Sequence, residues 1–205
     1  DEERDIDFIQ AMEEVLAKRL SSFPVRMICT TSSPRIQKFI SDKLALTSQD
    51  VYEVKGIIDL ATLADLISVE GFSQLKFPPW KHFQNTVLHK DANYWDVLKQ
   101  RDILLTVPYE SFEPVIDFVT RASEDPSVLA IKMTLYRTSG NSPIINSLEK
   151  AARNGKQVTV FVELKARFDE KQNISWASQL EQAGAIVVYG IANLKVHAKM
   201  LLIVR

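Results

Sequence analysis

The feature that most narrows the possible folds is an alternation running from Val128 to Tyr189. Apolar runs rich in β-branched residues (Val128–Tyr136, Gln157–Leu164, Ala185–Tyr189) alternate with helix-like stretches, Ile144–Arg153 and Ile174–Gln182. Near-continuous apolar strands are those of parallel sheets, and helices of about ten residues are long enough to return the chain across the sheet. The pattern predicts βαβ units and an α/β fold: a mixed, mostly parallel sheet flanked by helices. Just upstream, Ile103–Val107 reads as a strand and Ser111–Arg121 as a helix. Only about five residues separate Tyr189 from a last apolar run beginning near Lys195, too few for a helical crossover. The final strand is therefore expected to run antiparallel to its predecessor.

The N-terminal part reads as a smaller α/β (α+β) region. Ile6, Ile9, Met12, Val15, Leu16 and Leu20 recur at helical steps. Val25–Thr30 and Val51–Val54 are short strand candidates. Ser33-Pro34 marks a helix start, with Ile36, Phe39, Ile40 and Leu44 as the expected buried stripe, and Leu60, Leu63 and Leu66 mark another helix. Phe77-Pro78-Pro79-Trp80 cannot continue a helix. The irregular stretch to about Asp91 places a domain boundary near residue 85, giving expected domains 1–85 and 86–205.

Composition excludes several classes. The 205 residues are 46% hydrophobic and 25% charged, ordinary globular proportions. No apolar run approaches the ~18 residues of a membrane span, and no signal peptide opens the chain. Cys29 is the single cysteine, so no internal disulfide or multi-cysteine metal site can form. Six glycines make neither GxGxxG nor GxxxxGK[ST], which excludes the common glycine-loop nucleotide sites. The chain starts at Asp1 and stops directly after a strand-like run, and is expected to be a segment of a longer protein.

The net charge of −1 hides an asymmetry: from Lys132 onward, 11 Lys/Arg stand against 5 Asp/Glu. A basic region favours anions, and its placement can be read from the strands. Ligands of open α/β sheets bind beyond the carboxyl ends of the parallel strands. Arg137 ends one such strand and Arg167 follows the next; an antiparallel last strand would begin at that same edge, bringing His197 and Lys199 to it on one face. A neutral imidazole can attack phosphorus, and arginine forks pair bidentately with phosphate oxygens. This constellation suits phosphoryl transfer, although the spacing alone leaves a non-catalytic polyanion-binding crest equally open.

At these residues the sequence closely resembles bacterial polyphosphate kinases. The resemblance is carried by Ala130-Ile131-Lys132-Met133-Thr134-Leu135-Tyr136-Arg137-Thr138-Ser139-Gly140, by Val162-Glu163-Leu164-Lys165-Ala166-Arg167-Phe168-Asp169-Glu170 with Asn173, and by Leu194-Lys195-Val196-His197-Ala198-Lys199. It extends more loosely to Asp50-Val51-Tyr52 and Phe77-Pro78-Pro79. One departure is Asn193, where the family often has glycine; asparagine tolerates the same left-handed backbone.

The resemblance implies reversible transfer of the ATP γ-phosphate to inorganic polyphosphate, with His197 as the phosphorylated histidine. Arg137 and Arg167 fall on the family's magnesium and phosphate site. Guanidinium offers no lone pair to a metal, so they are expected to hold phosphate, with Lys132 and Lys199 assisting electrostatically. Asp169 and Glu170, and chemically Glu163, are the better candidates for contact with Mg²⁺. The family's organisation makes residues 1–85 part of its middle (head) domain and 86–205 part of its first catalytic, phospholipase-D-like domain. It further implies ATP or ADP and polyphosphate as partners, no nucleic acid, a homo-oligomeric parent, a cytoplasmic location compatible with peripheral membrane attachment, and no activity in the isolated segment. A phospholipase-D-type phosphodiesterase shares the His-x-Lys pair, but its motif needs an aspartate where this chain has Val204.

Overall fold

Two helix-to-strand turns set the geometry of the main sheet. In a computed structural model, which describes residues 11, 14–15, 17–18, 21–30, 33–138, 142–163, 170–190 and 194–205 (for 170 and 171 the main chain alone), Gly155 and Gly184 have φ of 80° and 96°. Each follows a helix. The Lys156 N–H reaches back to Ala151 O at 3.1 Å and the Ala185 N–H to Leu180 O at 3.0 Å. A left-handed glycine with this backward bond stops a helix and turns the chain into the next strand. The described residues fall into two compact units, one built on Lys81–Arg205 and the other on Val15–Trp80.

In the smaller unit, β1 (Met27–Cys29) and β2 (Val51–Glu53) pair in parallel across α1 (Pro34–Lys43), a minimal βαβ unit. Pro34 occupies the first helical turn, where its missing N–H costs nothing. Leu60–Ser68 form a 3-10 helix, opened by Asp59 accepting from the Ala61 N–H at 3.0 Å. The expected buried stripe of α1 is not buried. Ile36 and Phe39 are 60% and 61% exposed, and Ile40, Leu44, Leu60, Leu63 and Leu66 are exposed as well. A two-stranded sheet of three-residue strands has too little surface to cover an amphipathic helix. The helix expected over Ile6–Leu20 falls largely outside the described residues.

The larger unit holds α2 (Tyr94–Gln100), α3 (Glu113–Glu124), β3 (Ala130–Leu135), α4 (Pro143–Arg153), β4 (Gln157–Val162), α5 (Glu170–Gln182), β5 (Ile186–Tyr189) and β6 (Leu201–Val204). The sheet order is β5-β4-β3-β6, with β3, β4 and β5 parallel and β6 antiparallel to β3. Alternation buries Ile131, Leu135, Val158, Val160, Val162, Val187 and Tyr189 on one face. The helices add Val119 and Ala122 from α3, Ile145 and Leu148 from α4, and Trp176 and Leu180 from α5. The mostly parallel α/β architecture is the one the sequence predicts.

Three details differ. Residues 103–107 form no strand. Glu110 instead closes a turn there, its carboxylate accepting the Thr106 N–H at 2.7 Å while its own N–H donates to Thr106 O at 2.8 Å. Helix α2 was not anticipated; its start is fixed by Asn93 accepting from the Trp95 N–H at 3.1 Å. The last strand has the expected direction, but it begins at Leu201, and it pairs with β3 and not with β5.

Candidate functional site

The carboxyl ends of β3 and β4 form a crest closed from beneath by one side chain. Asn173, fully buried in α5, donates from Nδ2 to Tyr136 O at 3.1 Å and Glu163 O at 3.0 Å. Its Oδ1 accepts from Trp176 Nε1 at 3.2 Å. Two strand-terminal carbonyls are thereby satisfied by one buried amide.

Because β6 lies against β3, residues 194–200 preceding it pass the end of β3. The His197 ring meets Tyr136 edge-on, with centroids 4.9 Å apart and planes inclined by 63°. Three cations share that tyrosine: Lys199 Nζ lies 4.6 Å from the ring centroid, Arg137 Cζ 5.6 Å and Lys195 Nζ 6.0 Å. A ring quadrupole attracts each of them. Lys199 Nζ also lies 3.3 Å from His197 Nδ1 and donates to His197 O at 2.6 Å. His197, Lys199, Arg137 and Lys195 are all exposed. A solvated cluster of cations beside an imidazole is equipped to hold a polyanion.

The structure thus brings Arg137, His197 and Lys199 together. Lys132 it leaves apart: that residue lies mid-strand opposite Leu202, about 13 Å along β3 from Tyr136 at ~3.3 Å per residue. Arg167 and Asp169 lie outside the described residues, as does the side chain of Glu170. Glu163 is 5% exposed, and its Oε2 accepts the Val196 N–H at 2.9 Å. Among the described residues no group of three His, Cys, Asp or Glu side chains is arranged to hold a metal ion. Residue spacing did not single out Tyr136 or Lys195. The available signal was an aromatic residue at a strand end with a cation beside it.

The polyphosphate kinase C-terminal domain 1 family matches residues 93–205, and the polyphosphate kinase middle domain family matches residues 1–66. The chain belongs to the polyphosphate kinase family. It is 46% identical to a polyphosphate kinase of Halalkalibacterium halodurans over its whole length and 30% of that relative's. It is 42% identical to one from Pseudomonas aeruginosa over 97% of the chain and 29% of the relative. The crystal structure of the Porphyromonas gingivalis polyphosphate kinase superposes with a TM-score of 0.68 at 30% identity, over 87% of this chain and 27% of that one. The chain therefore spans about 30% of the length of the polyphosphate kinases it matches. Among the described residues no helix is long and apolar enough to cross a membrane.

Proposed function

We propose that this chain carries the phosphate-accepting histidine of a polyphosphate kinase that moves the ATP γ-phosphate reversibly to inorganic polyphosphate. The observation that carries the reading is the exposed His197 imidazole set among Lys199, Arg137 and Lys195 on the Tyr136 ring. A ring nitrogen lone pair attacks the γ-phosphorus, a P–N bond forms, and the bond to the bridging oxygen breaks as ADP leaves. A terminal oxygen of polyphosphate then attacks the same phosphorus and the P–N bond breaks, restoring the imidazole. The side chains' task is positioning and charge neutralisation, which dominate phosphoryl transfer. Arg137 grips the transferring oxygens as a fork, and Arg167 takes the same role from the segment after β4. Lys199 and Lys195 stabilise charge near the ring, while mid-strand Lys132 acts at longer range.

Mg²⁺ belongs to the reading as the nucleotide's counter-ion, with Asp169 and Glu170 as the candidate carboxylates beside Arg167. The described side chains supply phosphate partners and no metal-donor set. Residues 1–85 correspond in this reading to part of the head domain and 86–205 to part of the first catalytic domain. With about 30% of its relatives' length, the chain by itself is expected to leave ATP and polyphosphate unchanged.

The test is phosphate trapping on a protein of full family length containing this sequence. After incubation with γ-labelled ATP and Mg²⁺, acid-labile and base-stable label should appear in wild type and vanish in His197→Ala. Arg137→Ala should slow labelling about 10²–10³-fold, as for removal of one charge-stabilising donor. Equal label in His197→Ala would move the nucleophile elsewhere and overturn the reading.

A further inference from the structure

His197 lies outside the paired residues of β6, so its placement needs another source. The main chain on either side of it is held by side chains from the parallel strands. On one side, the Val196 N–H donates to Glu163 Oε2 at 2.9 Å. On the other, Thr134 Oγ1 donates to Ala198 O at 2.7 Å and accepts the Met200 N–H at 2.9 Å. The Thr134 N–H donates to Met200 O at 3.0 Å as well. Glu163 follows β4 directly and Thr134 lies within β3.

Glu163 stands where an apolar residue would be cheaper. It is 5% exposed and follows a strand in which Val158, Val160 and Val162 are buried. Burying a carboxyl group is unfavourable unless it is hydrogen-bonded, and no aliphatic side chain could accept the Val196 N–H. Thr134 likewise uses its hydroxyl as donor and acceptor at once, which valine, its isostere, cannot do.

We infer that Glu163 and Thr134 are positioning residues, two anchors that fix the backbone before and after His197 and so aim its imidazole at the transferring phosphorus. The inference rests on the proposed phosphoryl transfer and gives Glu163 a hold on the protein's own backbone. In-line displacement needs a narrow range of approach, and a displacement of about 1 Å can cost about 100-fold in rate.

The test uses isosteric pairs in the full-length protein: Glu163→Gln and Thr134→Ser keep the hydrogen-bonding oxygen, whereas Glu163→Leu and Thr134→Val remove it. Amide exchange should quicken at Val196 in Glu163→Leu and at Met200 in Thr134→Val. The phosphohistidine rate at saturating ATP should fall about 10–100-fold in both, with the nucleotide KM within about twofold. Gln and Ser should restore most of the rate, and Thr134→Val serves if Glu163→Leu does not fold. Labelling rates within twofold of wild type in the Leu and Val variants would overturn the positioning role, as would losses that Gln and Ser do not repair. No label in wild type would instead overturn the phosphohistidine reading itself, while the exchange data would still report whether the anchors hold.

Discussion

Replacing Asn173 by leucine removes the amide that closes the crest while keeping similar volume. Two main-chain carbonyls, Tyr136 O and Glu163 O, and the Trp176 Nε1–H lose their partner, at present 3.0–3.2 Å away. Each buried polar group left unsatisfied costs roughly 1–3 kcal/mol. Water can reach the Tyr136 carbonyl more easily than the other two groups, so the lower end applies there and the sum is about 3–7 kcal/mol. Burying the leucine side chain returns about 2 kcal/mol, leaving a net loss of about 1–5 kcal/mol. Against a typical domain stability of ~5–15 kcal/mol this is a large share. At about 3–4 °C per kcal/mol for a unit of this size, Tm should fall by about 3–20 °C. Urea unfolding followed by tryptophan fluorescence and far-UV circular dichroism measures it, with an unchanged m-value as the check on two-state behaviour. Gln179→Ala, on the exposed side of the same helix where Gln179 bonds Glu149 at 2.6 Å, should cost under ~0.5 kcal/mol. If Asn173→Leu were no worse than that control, the amide would not be what closes the crest.

Tyr136→Phe keeps the ring that Lys199, Arg137 and Lys195 share and should bind polyphosphate within twofold of wild type. Tyr136→Leu frees all three cations and should bind about tenfold more weakly, at ~0.5 kcal/mol for each exposed cation–π contact. Calorimetric titration with polyphosphate at fixed salt decides it, and equal weakening by Phe would remove the ring from the explanation. Acid stability of the larger unit follows from three carboxyls held below their ordinary pKa: Asp125 by Arg205 and the Ser127 N–H, Glu110 by the Thr106 N–H and Asn85, and Glu149 by Arg153 and Gln179. Their folded values lie below the unfolded ones, so their contribution is full above the ordinary carboxylate range of ~4 and is lost as pH falls through the depressed values. Tm should hold from about pH 7 to 5 and drop below about 4; Asp125→Asn should flatten part of that drop, and an unaltered acid slope in this variant would exclude Asp125 as a contributor.

Much of the larger unit follows from local sequence. The strand and helix periods, and the glycine-terminated helices at Gly155 and Gly184, need no distant residue. Local patterns misled where packing decides. The stripe of α1 is amphipathic but exposed, because burial requires an opposing surface that periodicity does not contain. Residues 103–107 have strand-like composition but no ladder, because Glu110 takes up the Thr106 N–H. Helix α2 is short, and the Asn93 cap that starts it is a weak signal in sequence.

For the site, sequence supplied His197, Lys199 and Arg137 and the resemblance that joins them; Arg167 and Asp169 belong to the same reading but lie outside the described residues. What sequence could not supply is the partner of β6. A short connection fixes the direction of a strand but not its neighbour, because any edge offers the same row of N–H and C=O groups. Pairing with β3 places His197 against Tyr136, with Val196 on Glu163 and Ala198 on Thr134. Those contacts join residues far apart in the chain. A residue's type sets which bonds it can form, but only the folded sheet decides which groups come within reach.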